Sequence, residues 1–233
     1  MDWLTIVQAR RAQSPRGYSE CLGGAGLAAT TQRGAVRNLR IIGPIDWLFG
    51  VDALALSADL LAEPRPEQVN VYLDSPGGDL FEALTLRAAL DALTTEGITV
   101  NTQAGSVVGS AAVPIYLAGA VRTGQSYTRF MMHNPRAALF VRGDVEDMTG
   151  EFEEFLVTLR AATDLYWETI ATHVEESVVA AWKSSEDTWL TTAEAIEQGL
   201  MASIVEPVQE PDTLQAQLIG SRIRATLREE RIT

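Results

Sequence analysis

At 233 residues the chain is long enough to bury one α/β core. Its net charge of −13 argues against a nucleic-acid binder, which needs a basic face to neutralise phosphates. A single cysteine, Cys21, excludes an internal disulfide and fits a reducing, cytoplasmic setting.

In chain order, the opening MDWLTIVQARRAQSP has arginines where a secretory signal needs an apolar stretch. Residues 1–36 mix Gly, Ala, Arg, Ser and Thr without sustained periodicity and read as a mobile arm. The arm is basic, since residues 1–40 hold six arginines against Asp2 and Glu20. It is either simply solvated or a dock for an acidic partner surface or neighbouring subunit.

Order is expected from RNLRIIGPI, with Leu39, Ile41 and Ile42 in a short strand stopped by Gly43-Pro44. Residues 51–62 predict a helix that PRPEQ ends. VNVYLDS (69–75) is an apolar, β-branched strand. Pro-Gly-Gly follows it, then a helix from near Asp79 that buries Leu80, Ala83, Leu86, Leu90 and Leu93. ITVNTQA predicts a strand, AAVPIYLAGA a buried small-residue helix, and SYTRFMMHN a strand ending in a turn.

The uncharged run 97–121 is long enough to span a membrane. Its Asn101, Thr102, Gln103, four glycines and Pro114 make it buried core instead. Residues 144–172 predict one long acidic helix. Its stripe of Phe152, Phe155, Leu159, Leu165, Tyr166 and Ile170 suits packing outside the core or within a bundle. TTAEAIEQGL (191–200) predicts a helix capped by Thr191 or Thr192 and ended by Gly199, with the strand ASIVE after it. Pro207 and Pro211 mark a boundary before an amphipathic tail, 207–233, that carries Leu214, Leu218, Ile219, Ile223 and Leu227. Strands alternating with helices imply crossover units and a largely parallel sheet with helices on its faces.

Three segments carry the chemistry. Ser75-Pro76-Gly77-Gly78 lets the backbone turn sharply before a helix and expose amides suited to an oxyanion. In Gly105-Ser106-Val107-Val108-Gly109-Ser110-Ala111-Ala112 a serine among small residues can present an unobstructed hydroxyl, with the Ala111 amide as a second donor. The residues alone leave Ser110 and Ser106 as rivals, and Ser110 as a plain N-cap is a further reading. The chain has two histidines. His173 lies in an acidic helical region beside Glu175 and Glu176, whereas His133 ends a hydrophobic strand and can face the top of the sheet, as a general base must.

SPGG, then Ser-Ala-Ala at 110–112 leading into LAGA, then MMHNP resemble the Clp-type peptidase family. DWLFGV (46–51), GDVEDM (143–148) and EDTWLTTAEAIEQGL (186–200) resemble its branch of phage head maturation proteases. The likeness spans about residues 37–206, in the family's order and approximate spacing. It implies an α/β fold of the ClpP/crotonase type: a repeated β-α-β spiral core with a protruding handle helix, here about 144–172. It implies a serine endopeptidase with Ser110 as nucleophile, His133 as base and the amides of Gly78 and Ala111 as oxyanion hole, needing no cofactor and no metal.

The family's third member does not carry over. Its place is taken by Lys183 or Ser184, and Glu186 and Asp187 are the nearest carboxylates, of which Asp187 is favoured. A serine–histidine dyad is the other option. The resemblance further implies homo-oligomeric rings and protein substrates, without nucleic acid or membrane. In the phage branch these would be scaffold and capsid precursors, met in the host cytoplasm or inside the prohead. Three alternatives stand beside it: a host-type Clp subunit fed by an ATPase, a degenerate subunit that only assembles, and a crotonase-like acyl-CoA enzyme. The last shares the fold and oxyanion hole but needs no serine–histidine pair.

Overall fold

Apolar strands that alternate with amphipathic helices can bury both faces only by layering helices on a sheet, and this is the architecture found. The computed structural model describes residues 27–46, 51–136 and 145–205. The strands are β1 (Leu27–Arg33), β2 (Val36–Ile42), β3 (Gln68–Ser75), β4 (Thr99–Gly109), β5 (Val121–Gly124), β6 (Arg129–Met132), β7 (Thr188–Thr191) and β8 (Ser203–Ile204). The helices are α1 (Ala53–Leu60), α2 (Leu80–Thr95), α3 (Ala112–Tyr116), α4 (Val145–Ala171), α5 (Glu176–Ser184) and α6 (Thr192–Glu197).

The strands form one sheet in the order β1-β2-β3-β4-β5-β8. It forks at β4, whose first part pairs with β5 through Asn101–Gln103 and whose last part pairs with β6 through Val107–Gly109. Both pairings are parallel, and β7 then joins β6 antiparallel. Strand β3 alternates buried and half-buried residues along its whole length. Asp79 caps α2, its carboxylate accepting from the amides of Phe81 and Glu82, and Thr191 caps α6 in a reciprocal capping box with Glu194. The core gathers Leu39, Ile41, Val71, Leu73, Leu86, Leu90, Ile115 and Tyr116 between the sheet and these helices.

Several elements differ from the sequence reading. Residues 27–33, assigned above to the mobile arm, form β1, which pairs antiparallel with β2 through a two-residue turn at Gly34-Ala35. Gly34 has φ +58°, which a tight hairpin turn requires. Strand β1 pairs on one side only and leaves most of its side chains at the surface, so it carries no hydrophobic alternation. Strand β4 runs to Gly109, beyond the predicted ITVNTQA, and helix α3 is shorter than AAVPIYLAGA suggested. The stripe of α4 divides. Tyr166 and Ile170, with Trp167, are buried in this chain's own core, while Phe152, Val157 and Leu165 are exposed. Residues 1–26 of the arm, 47–50 of DWLFGV, 143–144 of GDVEDM and the tail from 206 lie outside the described residues. No helix among the described residues is long and apolar enough to cross a membrane.

His173 follows α4, and its Nδ1 contacts the Thr172 hydroxyl at 2.7 Å and the Thr169 carbonyl at 3.3 Å. Burial, helped by the positive charges of Arg122 and Arg87, holds it below the ordinary 6.5; the Thr169 carbonyl and Asp91 act in the opposite direction. The unfolded chain therefore binds more protons below that pH, so this residue's stabilising effect is complete above 6.5 and lost towards acid. Melting temperature is expected to fall more steeply from pH 7 to 5 in the wild type than in His173→Gln. Parallel curves would contradict this assignment.

Candidate active site

The site assembles where β4 and β6 end side by side. Their register sets Gly109 opposite Met131, and the pairing continues one residue further with the Ser110 amide donating to the Met131 carbonyl at 2.7 Å. Ser110 and His133 thus leave the C-terminal ends of neighbouring parallel strands, where open α/β sheets place their sites. Both are half-buried.

Ser110 has φ +51° and is the only non-glycine residue with positive φ among the described residues. A left-handed serine between a strand and a helix is strained, and the surroundings must impose it. They do so by close approach. A Cβ added at Gly77 would lie 2.7 Å from the Ser110 Cβ, 2.6 Å from the Gly109 carbonyl oxygen and 2.9 Å from the Ala111 amide nitrogen. The Gly-Gly turn therefore lies directly against the serine. Ser110 is not the N-cap of α3: that position is Ala111, and no side chain caps the helix.

Gly77 has φ +98° and Gly78 φ +147°. Gly78 bridges to Ile45: the Ile45 amide donates to the Gly77 carbonyl, and the Asp79 amide donates to the Ile45 carbonyl. That pattern leaves the Gly78 amide aside. Among the described residues neither it nor the Ala111 amide donates to a protein acceptor. Gly77→Ala is expected to abolish peptide hydrolysis while the protein still folds, because a methyl there collides with backbone on the serine side. Activity within about threefold of wild type would show that the turn is not coupled to the serine; smaller changes are within ordinary scatter.

Ser106 is occupied elsewhere. Its hydroxyl donates to the Asp74 carboxylate at 2.6 Å, and the same Asp74 oxygen accepts from the amides of Ser106 and Val107, both at 3.1 Å. This fastens the irregularity where the β3–β4 register shifts after Leu73.

The His133 Nδ1 lies 2.6 Å from the carbonyl oxygen of Asn134. No side-chain hydrogen bond joins His133 to Ser110, and the imidazole contact is the one to the Asn134 carbonyl. Asp187 is paired with Arg136, its Oδ1 2.7 Å from a guanidinium nitrogen, and no hydrogen bond joins it to the imidazole. Lys183 meets the site through its main chain, its carbonyl accepting from the Asn134 amide group at 2.9 Å. Its ammonium lies over the Trp167 ring, 5.9 Å from the centroid. Behind His133, burial raises the pKa of the Tyr166 hydroxyl, and the His133 main chain acts in the opposite direction. Sequence reasoning did not single out Asn134, Trp167 or Arg136; a polar residue just after the histidine was the one signal for the first. No group of three or more His, Cys, Asp or Glu residues among the described residues is placed to hold a metal ion.

Comparison with known proteins identifies the family and the fold. The Clp protease family model matches residues 36–208. The ATP-dependent Clp protease proteolytic subunit 2 of Corynebacterium diphtheriae is 27% identical over 157 residues, covering 65% of this chain and 73% of its own. The proteolytic subunit of Porphyromonas gingivalis is 28% identical over 148 residues, covering 62% of each. A solved ClpP1 variant from Listeria monocytogenes superposes with a TM-score of 0.57 at 22% identity, over 73% of this chain and 92% of that one. The fold is thus of the ClpP/crotonase α/β type, and the chain belongs to the Clp protease family.

Proposed function

We propose that the chain is a serine endopeptidase of the Clp type. Ser110 attacks the scissile carbonyl while His133 takes its proton, and the amides of Gly78 and Ala111 bind the resulting oxyanion. Collapse of the tetrahedral intermediate passes the proton from His133 to the leaving amine. Water then hydrolyses the acyl-enzyme by the same route in reverse. The observation that carries this reading is the left-handed Ser110, pressed against the Gly-Gly turn at the end of β4. Strain at a lone serine that caps nothing supports a functional role more than a structural one.

The test is pre-steady-state hydrolysis of an activated peptide ester, which should release a burst of about one equivalent per subunit. Steady turnover without a burst in wild type, together with undiminished turnover in His133→Ala, would refute the acyl-enzyme route.

For the substrate we favour scaffold and capsid precursors of a phage head, cut inside homo-oligomeric rings joined through α4. The likeness of DWLFGV, GDVEDM and EDTWLTTAEAIEQGL to the head-protease branch supports this, as do the exposed Phe152, Val157 and Leu165 on α4. A second reading is favoured by the relatives, which are named as proteolytic subunits of ATP-dependent Clp proteases. Saturable stimulation of protein degradation by a Clp unfoldase would support that reading. Degradation of the scaffold without ATP would support the phage one.

A further inference from the structure

We propose that the main-chain carbonyl of Asn134 takes the place of the triad carboxylate, and that Asn134 is the positioning residue holding it there; this rests on Ser110 and His133 as nucleophile and base. A carbonyl oxygen only accepts, so the 2.6 Å contact requires the proton on the His133 Nδ1. That tautomer leaves the lone pair on Nε2, as a general base needs.

A main-chain carbonyl next in sequence to its histidine orients the ring only if its own peptide is fixed. Here the Asn134 side chain fixes it from two directions. Its Nδ2 donates to the Lys183 carbonyl at 2.9 Å, in the last turn of α5, where helix carbonyls lack intrahelical donors. Its Oδ1 accepts from the indole Nε1 of Trp167 at 2.9 Å, and Trp167 is 1% exposed on α4. The two helices that would otherwise only flank the site thus clamp the residue behind the imidazole. Meanwhile Asp187 is paired with Arg136, and Lys183, one of the two residues that could stand at the family's aspartate position, meets Asn134 through its carbonyl. The geometry supplies an acceptor for the imidazole without any carboxylate.

The test uses the whole protein labelled with ¹⁵N-histidine, its two histidines distinguished through His173→Gln. Above pH 8, solid-state ¹⁵N shifts should show His133 protonated on Nδ1. Asn134→Ala should mix the tautomers and slow fluorophosphonate labelling of Ser110 by at least about tenfold, since an unheld ring spends less time aligned. If Asn134→Ala does not fold, Trp167→Phe removes one of the two clamps, keeps a ring in the core and should shift the same readouts in the same direction.

An Nε2-protonated His133 would overturn the proposal. So would unchanged tautomer and rate in a folded Asn134→Ala, or a loss in Asp187→Asn as deep as in His133→Ala. A wild-type Ser110 that never labels would count against the peptidase reading instead, and the tautomer measurement would still decide this one.

Discussion

Ser110→Ala is expected to cut hydrolysis of a fluorogenic peptide by about 10⁴-fold or more, whereas Ser106→Ala stays within about threefold of wild type. The two serines are four residues apart and both lie in β4 or at its end, yet their surroundings differ in kind. The Ser106 hydroxyl is spent on Asp74 at 2.6 Å, in a three-bond cluster that secures a strand irregularity. Losing one of those bonds costs about 1 kcal/mol of local stability and leaves the end of the strand in place. Ser110 stands on left-handed backbone against Gly77, beside an amide that donates to no protein acceptor among the described residues. Removing its oxygen removes the attacking atom, so only binding and oxyanion stabilisation remain. Comparable losses in the two variants would mean that the region, and not Ser110, carries the chemistry.

Arg37→Met is expected to be strongly damaging, lowering stability by about 3 kcal/mol and the melting temperature by roughly 10 °C. Arg37 is 4% exposed and pairs with no carboxylate among its hydrogen bonds. Its guanidinium donates to the main-chain carbonyls of Asp59, Leu60, Ala62 and Pro64 and to the Gln32 side chain. It thereby closes the C-terminal end of α1, whose last carbonyls have no helical donors, and ties it to β1 and β2. Methionine fills much of the volume but removes five donors at once and leaves the buried Leu60 carbonyl without its partner. Arg65→Ala is the contrast: its ion pairs with Glu63 and Glu96 are largely solvated and worth about 1 kcal/mol at most. Thermal melts of the two variants should separate clearly; equal shifts would contradict the role given to Arg37.

Much of the fold was legible because burial writes itself into the sequence. Strand β3 and helix α2 carry the alternation and the 3–4 spacing that burying one face of a strand and one stripe of a helix demand. Strand β1 has no such signature, because an edge strand made of Ala, Thr and Gln buries little. Strands β5 and β7 have four residues each, too few for a period to register, and one of them exposes Trp189. The predicted strand ITVNTQA stopped short of GSVVG; β4 continues through it because Asp74, 32 positions away, supplies the acceptor that holds the bulge.

At the site, the serine, the histidine and the Gly-Gly turn were readable as residue types at family spacing. The choice between Ser110 and Ser106 was not readable from residue type, since it depends on a backbone angle and on Asp74. The acceptor behind His133 was invisible for a deeper reason. A main-chain carbonyl belongs to every residue, so no side chain advertises it, and the search for a carboxylate led to Asp187, which Arg136 holds.

The central claim, that Ser110 is the nucleophile activated by His133, is tested most directly by mapping the adduct of a fluorophosphonate probe on the full-length protein by mass spectrometry. The account predicts one adduct per chain, on Ser110, formed at a rate that rises with pH and is lost in His133→Ala. An adduct on Ser106, or one on Ser110 that survives His133→Ala at the wild-type rate, would contradict it.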